Sequence, residues 1–308
     1  MERLKECMIC PRECRADRRE NEGFCGAGGK IRAARAALHF WEEPCISGNR
    51  GSGTIFFSGC NMRCIFCQNE KISLGNFGAD ISVERLSDIF VELEEKGAHN
   101  INLVTPTPYA FHIIKAIDKA KNRVKIPFIY NTSGYEKVET LRMLEGYIDI
   151  FLTDIKYFSP EISAKYSRAE DYFDISFAAA EEMVKMGGVP EFDGEGVLKR
   201  GVIIRHLVLP SHRNDSIEIL RRVVKKIPKD KFILSLMSQY TPWGNIDSFP
   251  ELGRKVTTFE YQSVVDEALR LGITNGYIQD RKGASDEYIP LFNLEGIYKK
   301  GVDKPKTM

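Results

Sequence analysis

From residue 54 onward, short runs of β-branched and aromatic residues alternate with longer stretches in which apolar positions return every three or four residues. The short runs read as strands near 54–58, 100–104, 126–131, 148–153, 201–209, 232–239 and 276–279. The longer stretches read as helices near 83–96, 109–122, 136–145, 175–187, 215–227 and 257–271. In the second of these patterns Leu86, Ile89, Phe90 and Leu93 share one helical face, and Ser82 stands where a cap is needed, with Arg85 where a capping box would carry an acid. Strand followed by helix, repeated, predicts an α/β chain with a parallel sheet. Residues 188–200, with three glycines among acidic neighbours, read as a loop or excursion, and 299–306 as a solvated tail.

Polar residues gather at the ends of the predicted strands. Ser58-Gly59-Cys60, Thr105-Pro106-Thr107, Asn131-Thr132-Ser133, Asp154-Ile155-Lys156, His206 with Pro210, Gln239-Tyr240 and Gln279-Asp280 all stand at or near carboxyl-terminal ends. In a βα barrel those ends converge on one mouth, where function resides. Asp154 and Lys156 alternate across Ile155, so a strand period of two points both inward, either as an internal ion pair or as a binding pair. Gln239, Tyr240 and Gln279 are candidates for the substrate side of the same mouth.

Length and composition narrow the class. A chain of 308 residues with 43% apolar and 28% charged residues is that of an ordinary globular protein with a sizeable core. No apolar run reaches the roughly eighteen residues of a membrane span, and the start Met1-Glu2-Arg3-Leu4-Lys5 lacks the apolar core of a signal peptide, so a cytoplasmic location is expected, without a membrane partner. The net charge of +1 gives no electrostatic case for nucleic acid as the main partner.

The eight cysteines change the picture. Their clustering in a chain without an export signal points to metal ligation in a reducing compartment. Cys60, Cys64 and Cys67, in CNMRCIFC, follow an apolar run that ends in a glycine turn. A Cys-x-x-Cys pair is commonly half of a structural zinc site, but zinc takes four ligands and the nearest histidines, His39 and His99, are distant in sequence. Three thiolates on a 4Fe–4S cluster leave one iron open to an outside ligand. Cys7, Cys10, Cys14 and Cys25 are four thiols in about twenty residues, enough for tetrahedral zinc or a fully ligated auxiliary 4Fe–4S cluster. Zinc is the favoured reading there, since a short loop-rich segment gains most from a rigid clip. Cys45 is read as an ordinary buried thiol.

The spacing of Cys60, Cys64 and Cys67, with Phe66 before the last, resembles the signature of the radical SAM superfamily. WEEPCISG (41–48), GSGTIFFSGC (51–60), RHLVLP (205–210), LMSQYTP (236–242) and NGYIQ (275–279) resemble the branch related to the pyruvate formate-lyase activating enzyme. That resemblance implies a partial (β/α)6 TIM-like barrel carrying an N-terminal cysteine-rich metal-binding extension, with boundaries expected at 1–48, 49–290 and 291–308. It implies an oxidoreductase in which Cys60, Cys64 and Cys67 hold the cluster and an electron donor such as flavodoxin or ferredoxin reduces it. S-adenosyl-L-methionine would be cleaved to a 5′-deoxyadenosyl radical that abstracts hydrogen from a substrate, such as a glycyl-radical-type protein. Asp154 and Lys156 match the activases' Asp-x-Lys, which binds the ribose and carboxylate of that cofactor, and His206 matches their ribose-contacting histidine. Asn131-Thr132-Ser133 resembles their Asp-Thr-Asn turn with the charge lost, and Thr105-Pro106-Thr107 replaces the Gly-Gly-Glu common in the superfamily; Thr105, Asn131, Thr132 and Ser133 are thus cofactor candidates. A small molecule or RNA as substrate, or a non-catalytic zinc-binding scaffold, are the competing readings.

Overall fold

The computed structural model describes residues 2–244, 246–279 and 290–299. Ten strands build its sheet: β1 (Ile31–His39), β2 (Ser52–Phe57), β3 (Ala79–Ile81), β4 (Ile101–Val104), β5 (Phe128–Thr132), β6 (Ile150–Asp154), β7 (Glu191–Phe192), β8 (Leu198–Leu207), β9 (Ile233–Met237) and β10 (Gly276–Ile278). Strands β2, β4, β5, β6, β8, β9 and β10 lie side by side in chain order, every adjacent pair parallel. Neighbours in chain order mean a single direction of winding, as in a βα barrel; the sheet ends at β10 and β3 and does not close.

The six strands from β2 to β9 in that run are each followed by a helix: Val83–Glu95, Ala110–Ala120, Val138–Arg142, Pro160–Ser167 with Tyr172–Gly187, Arg213–Lys226 and Thr258–Arg270. All seven predicted strands and all six predicted helices are present, with ends shifted by a few residues. The Ser82 hydroxyl accepts from the Arg85 amide, as its position suggested. Thr257 and Glu260 form a full capping box on the last helix.

The strand period of two sorts the core. Ile129, Ile150, Leu152, Ile203 and Ile233 point to the inner face with Cys45 and Ile46. Tyr130, Phe151, Val202, Ile204 and Leu234 point outward, against the helices. Both faces are apolar, as a covered parallel sheet requires.

The chain before residue 49 joins this body. β1 runs antiparallel to β2 and β3, and the backbone at Leu294 and Glu295 bonds to Ala34 and Ala36 on it. The excursion at 188–200 contains the β7–β8 hairpin. Of the expected tail, Lys299 is exposed and pairs with Asp88, while 300–308 lie outside the described residues, as does Asp280. Among the described residues no helix is long and apolar enough to cross a membrane.

Candidate radical centre at the barrel mouth

A cavity of about 540 Å3 opens at the carboxyl-terminal ends of the parallel strands. Cys60, Cys64, Cys67, Thr105, Asn131, Thr132, Ser133, Asp154 and Lys156 all line it, together with Gln239 and Gln279. Residues more than two hundred positions apart are gathered there because each ends a parallel strand or follows one.

The cysteine loop leaves β2 through Gly59, whose φ is +86°. An added Cβ there would sit 2.7 Å from the Cys25 carbonyl, so the turn admits only glycine. Each of the three sulfurs receives a donor: the Met62 amide to Cys60 at 3.4 Å, the Ser167 hydroxyl to Cys64 at 2.9 Å, and the Ser73 hydroxyl to Cys67 at 3.3 Å. Burial, then the neighbouring thiols, push Cys60 up to about 12 and Cys67 up to about 11. Among the described residues no three His, Cys, Asp or Glu side chains stand close enough as placed to hold a metal ion. The donor set nonetheless suits iron: three soft sulfurs on one wall, mutually repelling when charged, call for a cation between them.

In the same cavity, the Lys156 ammonium donates to Asp154. Burial disfavours the Lys156 charge, but Asp154 and then Cys64 outweigh it and hold its pKa above the ordinary value. Gly134 (φ +82°) lets the Asn131 to Ser133 turn press against this strand end, where a Cβ would fall 2.1 Å from the Asp154 carbonyl. Thr105 adopts φ +58°, a conformation β-branched residues rarely tolerate, at the end of β4.

Other expected residues face elsewhere. Asp154 pairs in register with Arg205, so on β8 it is Arg205 that lines the cavity, while His206 shares the outward face of Ile204. The His206 Nδ1 lies 2.6 Å from the Ile155 carbonyl, and its buried Nε2 has no hydrogen-bond partner. Burial lowers its pKa, which keeps the ring neutral. Tyr240 is buried, donates to the Leu252 carbonyl and packs on Phe66. Cys45 is buried in the inner-face core as expected of a plain thiol.

Several site residues were not anticipated. Arg205 donates to both Glu42 and Glu43, and Glu42 also accepts from Asn102 and Asn131, so a carboxylate from the β1–β2 connection ties β4, β5 and β8 together across the cavity. Burial opposes the Arg205 charge, and Glu42 and then Glu43 restore it. Glu136 is buried behind Thr132 and accepts from the hydroxyls of Thr132 and Thr107; burial pushes it up to about 7 despite those donors. The adjacent acids in WEEPC were the available signal for Glu42 and Glu43.

The amino-terminal cysteines form a second group. Cys7, Cys10 and Cys25 are buried, Cys14 is exposed, and Cys14 hydrogen-bonds Cys7. At Gly23 a Cβ would fall 3.2 Å from the Cys14 sulfur and 3.7 Å from that of Cys25, so a glycine makes room between two thiols. Glu13 and Arg15 take positive φ as the loop turns back on itself. Gly23 therefore stands between the Cys14 and Cys25 thiols.

The chain is 30% identical over 274 residues to the uncharacterized protein MJ0674 of Methanocaldococcus jannaschii, covering 86% of this chain and 75% of that one. Among solved structures it is similar to methylornithine synthase (PylB), with 17% identity and a TM-score of 0.46, over 69% of this chain and 58% of that one. It is also similar to Streptococcus suis SuiB bound to S-adenosylmethionine, with 13% identity and a TM-score of 0.49, over 72% and 48% respectively. Residues 54–223, more than half the chain, match the Radical SAM superfamily, from β2 through the sulfur loop to the helix after β8, and to that superfamily the chain belongs.

Proposed function

We propose that Cys60, Cys64 and Cys67 hold a 4Fe–4S cluster and that S-adenosylmethionine binds beside it in the cavity, with its amino acid end toward Thr105, Asn131, Thr132 and Ser133 and its ribose toward Asp154. Loaded in this way, and reduced by a donor such as flavodoxin or ferredoxin, the site supplies a 5′-deoxyadenosyl radical for hydrogen abstraction. The observation that carries this reading is the convergence of the three sulfurs with the Asp154–Lys156 pair on one cavity.

The chain's own residues bind, orient and shield. Lys156 offers a fixed positive charge for a carboxylate, and Asp154 accepts hydrogen bonds from hydroxyls while compensating Lys156. The Glu42 and Glu43 carboxylates clamp Arg205 at the wall. Gln239 accepts from Gln279 at 2.8 Å, closing the β9–β10 side of the mouth. These fixed charges and dipoles orient what binds in the cavity.

The substrate we propose is a backbone glycine of a partner protein, a glycyl-radical-type enzyme. What supports this is the rim: Phe40, Trp41 and Ile278 at the mouth are each more than half exposed, and Trp243 and Leu291 line an adjoining groove that shares Gln68 and Pro290 with the cavity. Exposed apolar groups clustered around a cleft mark a surface for a macromolecule. The four amino-terminal thiols are proposed to hold a further metal, zinc or an auxiliary cluster, which metal analysis of the purified chain distinguishes.

The test is isotopic. The reduced protein is incubated with S-adenosylmethionine and a cell extract grown on deuterated glycine. Deuterium in 5′-deoxyadenosine, with a glycyl-radical resonance in a captured protein, supports the reading. Unlabelled 5′-deoxyadenosine formed at the same rate would contradict a glycine substrate.

A further inference from the structure

Of the three sulfur donors, the one to Cys64 is the most elaborate. Ser167 ends the helix Pro160–Ser167, 103 residues from Cys64, and is fully buried. Its hydroxyl lies 2.9 Å from the Cys64 sulfur and 2.8 Å from the buried Tyr157 hydroxyl. With Ser167 donating to sulfur, Tyr157 donates to Ser167, and the two hydroxyl dipoles point the same way. The Ser167 backbone is held independently, since Arg12 donates to its carbonyl at 3.1 Å and to that of Arg168. Arg12 itself lies over the rings of Phe24 and Tyr135. This much order is not needed to fill space, which an alanine and a phenylalanine would do.

A donor aimed at a cluster sulfur favours the form with more negative charge. Adding an electron places that charge on iron and sulfur, so hydrogen bonds to the ligating sulfurs raise the reduction potential. In a dry site the dipoles are prealigned and the effect is larger than in water. We propose that Ser167, backed by Tyr157, is a positioning residue that sets the reduction potential of the cluster through Cys64. The inference rests on the reading that Cys60, Cys64 and Cys67 hold that cluster.

The test is an anaerobic redox titration of the reconstituted full-length chain, followed by the electron resonance of the reduced cluster. Ser167→Ala is expected to keep wild-type iron and to shift the reduction equilibrium toward the oxidised form by about tenfold, close to 59 mV for one electron. Ser167→Thr restores the wild-type value, and Tyr157→Phe shifts it in the same direction by a smaller factor. A Ser167→Ala midpoint within a twofold shift of wild type overturns the assignment. Should that variant lose iron, Tyr157→Phe decides, and an unshifted midpoint there overturns it equally. A wild-type chain with no reduced-cluster resonance that changes on adding S-adenosylmethionine contradicts the proposed function itself, and that response separates this outcome from all the others.

Discussion

The Cys60 amide donates to the Cys25 carbonyl at 3.0 Å, so the first sulfur of the cavity hangs from the last of the four clustered amino-terminal cysteines. The same two surfaces are joined again by Arg12, which donates to the Asn61 carbonyl at 2.8 Å. Order in the amino-terminal thiol group is thereby passed to the sulfur loop through backbone, without a shared ligand.

Gly59→Ala tests that junction. The added methyl meets the Cys25 carbonyl at 2.7 Å and the backbone must hold φ +86°, so a loss of about 1–3 kcal/mol in stability is expected. Thermal unfolding of the metal-free chain measures it, and iron uptake at Cys60 should fall in parallel. An unchanged melting temperature would show that the two segments separate freely.

Glu136 gives a pH dependence with a definite sign. Its pKa is raised to about 7 from 4.5, so the folded chain retains a proton that the unfolded chain releases. Stability is unaffected by this group below about pH 4.5 and declines as pH rises through the interval to about 7, by roughly 3 kcal/mol in all. Glu136→Gln removes the decline, so its melting temperature relative to wild type should be higher at pH 8 than at pH 5. A constant difference across that range would contradict the buried, proton-retaining carboxyl.

Asp154→Asn keeps the shape of the cavity but removes the partner of Lys156. Binding of S-adenosylmethionine, measured by equilibrium dialysis, should weaken by about ten- to a hundredfold. Unchanged affinity would make the pair structural.

Local signals carried most of the fold. Val83–Glu95 was legible from its apolar stripe and from Ser82, and β6 from its β-branched run, because propensity and burial agree there. β1 was not: Ile31–His39 is rich in alanine, and it extends only because β2 and β3 pair with it on both sides. At the site, Asp154 faces inward with Ile150 and Leu152 as the strand period predicts, while Lys156 lies two residues on, past the end of β6. That period leaves open whether Arg205 or His206 points inward, and only the register with Asp154 decides for Arg205. Arg205 with Glu42 and Ser167 with Cys64 are contacts across more than a hundred residues, for which no local pattern exists. Glu136 gains its character from Thr107, Thr132 and burial, all supplied by tertiary packing.

The central claim is that three sulfurs hold a cluster whose open iron activates S-adenosylmethionine. Its most direct test is to count iron and 5′-deoxyadenosine together, in the anaerobically reconstituted wild type and in Cys64→Ser. Four irons bound through the cavity sulfurs with product in the wild type, and loss of product in Cys64→Ser while the fold persists, is the predicted result. Product formed at the wild-type rate by Cys64→Ser, or a wild type carrying zinc alone at Cys60, Cys64 and Cys67, would contradict it.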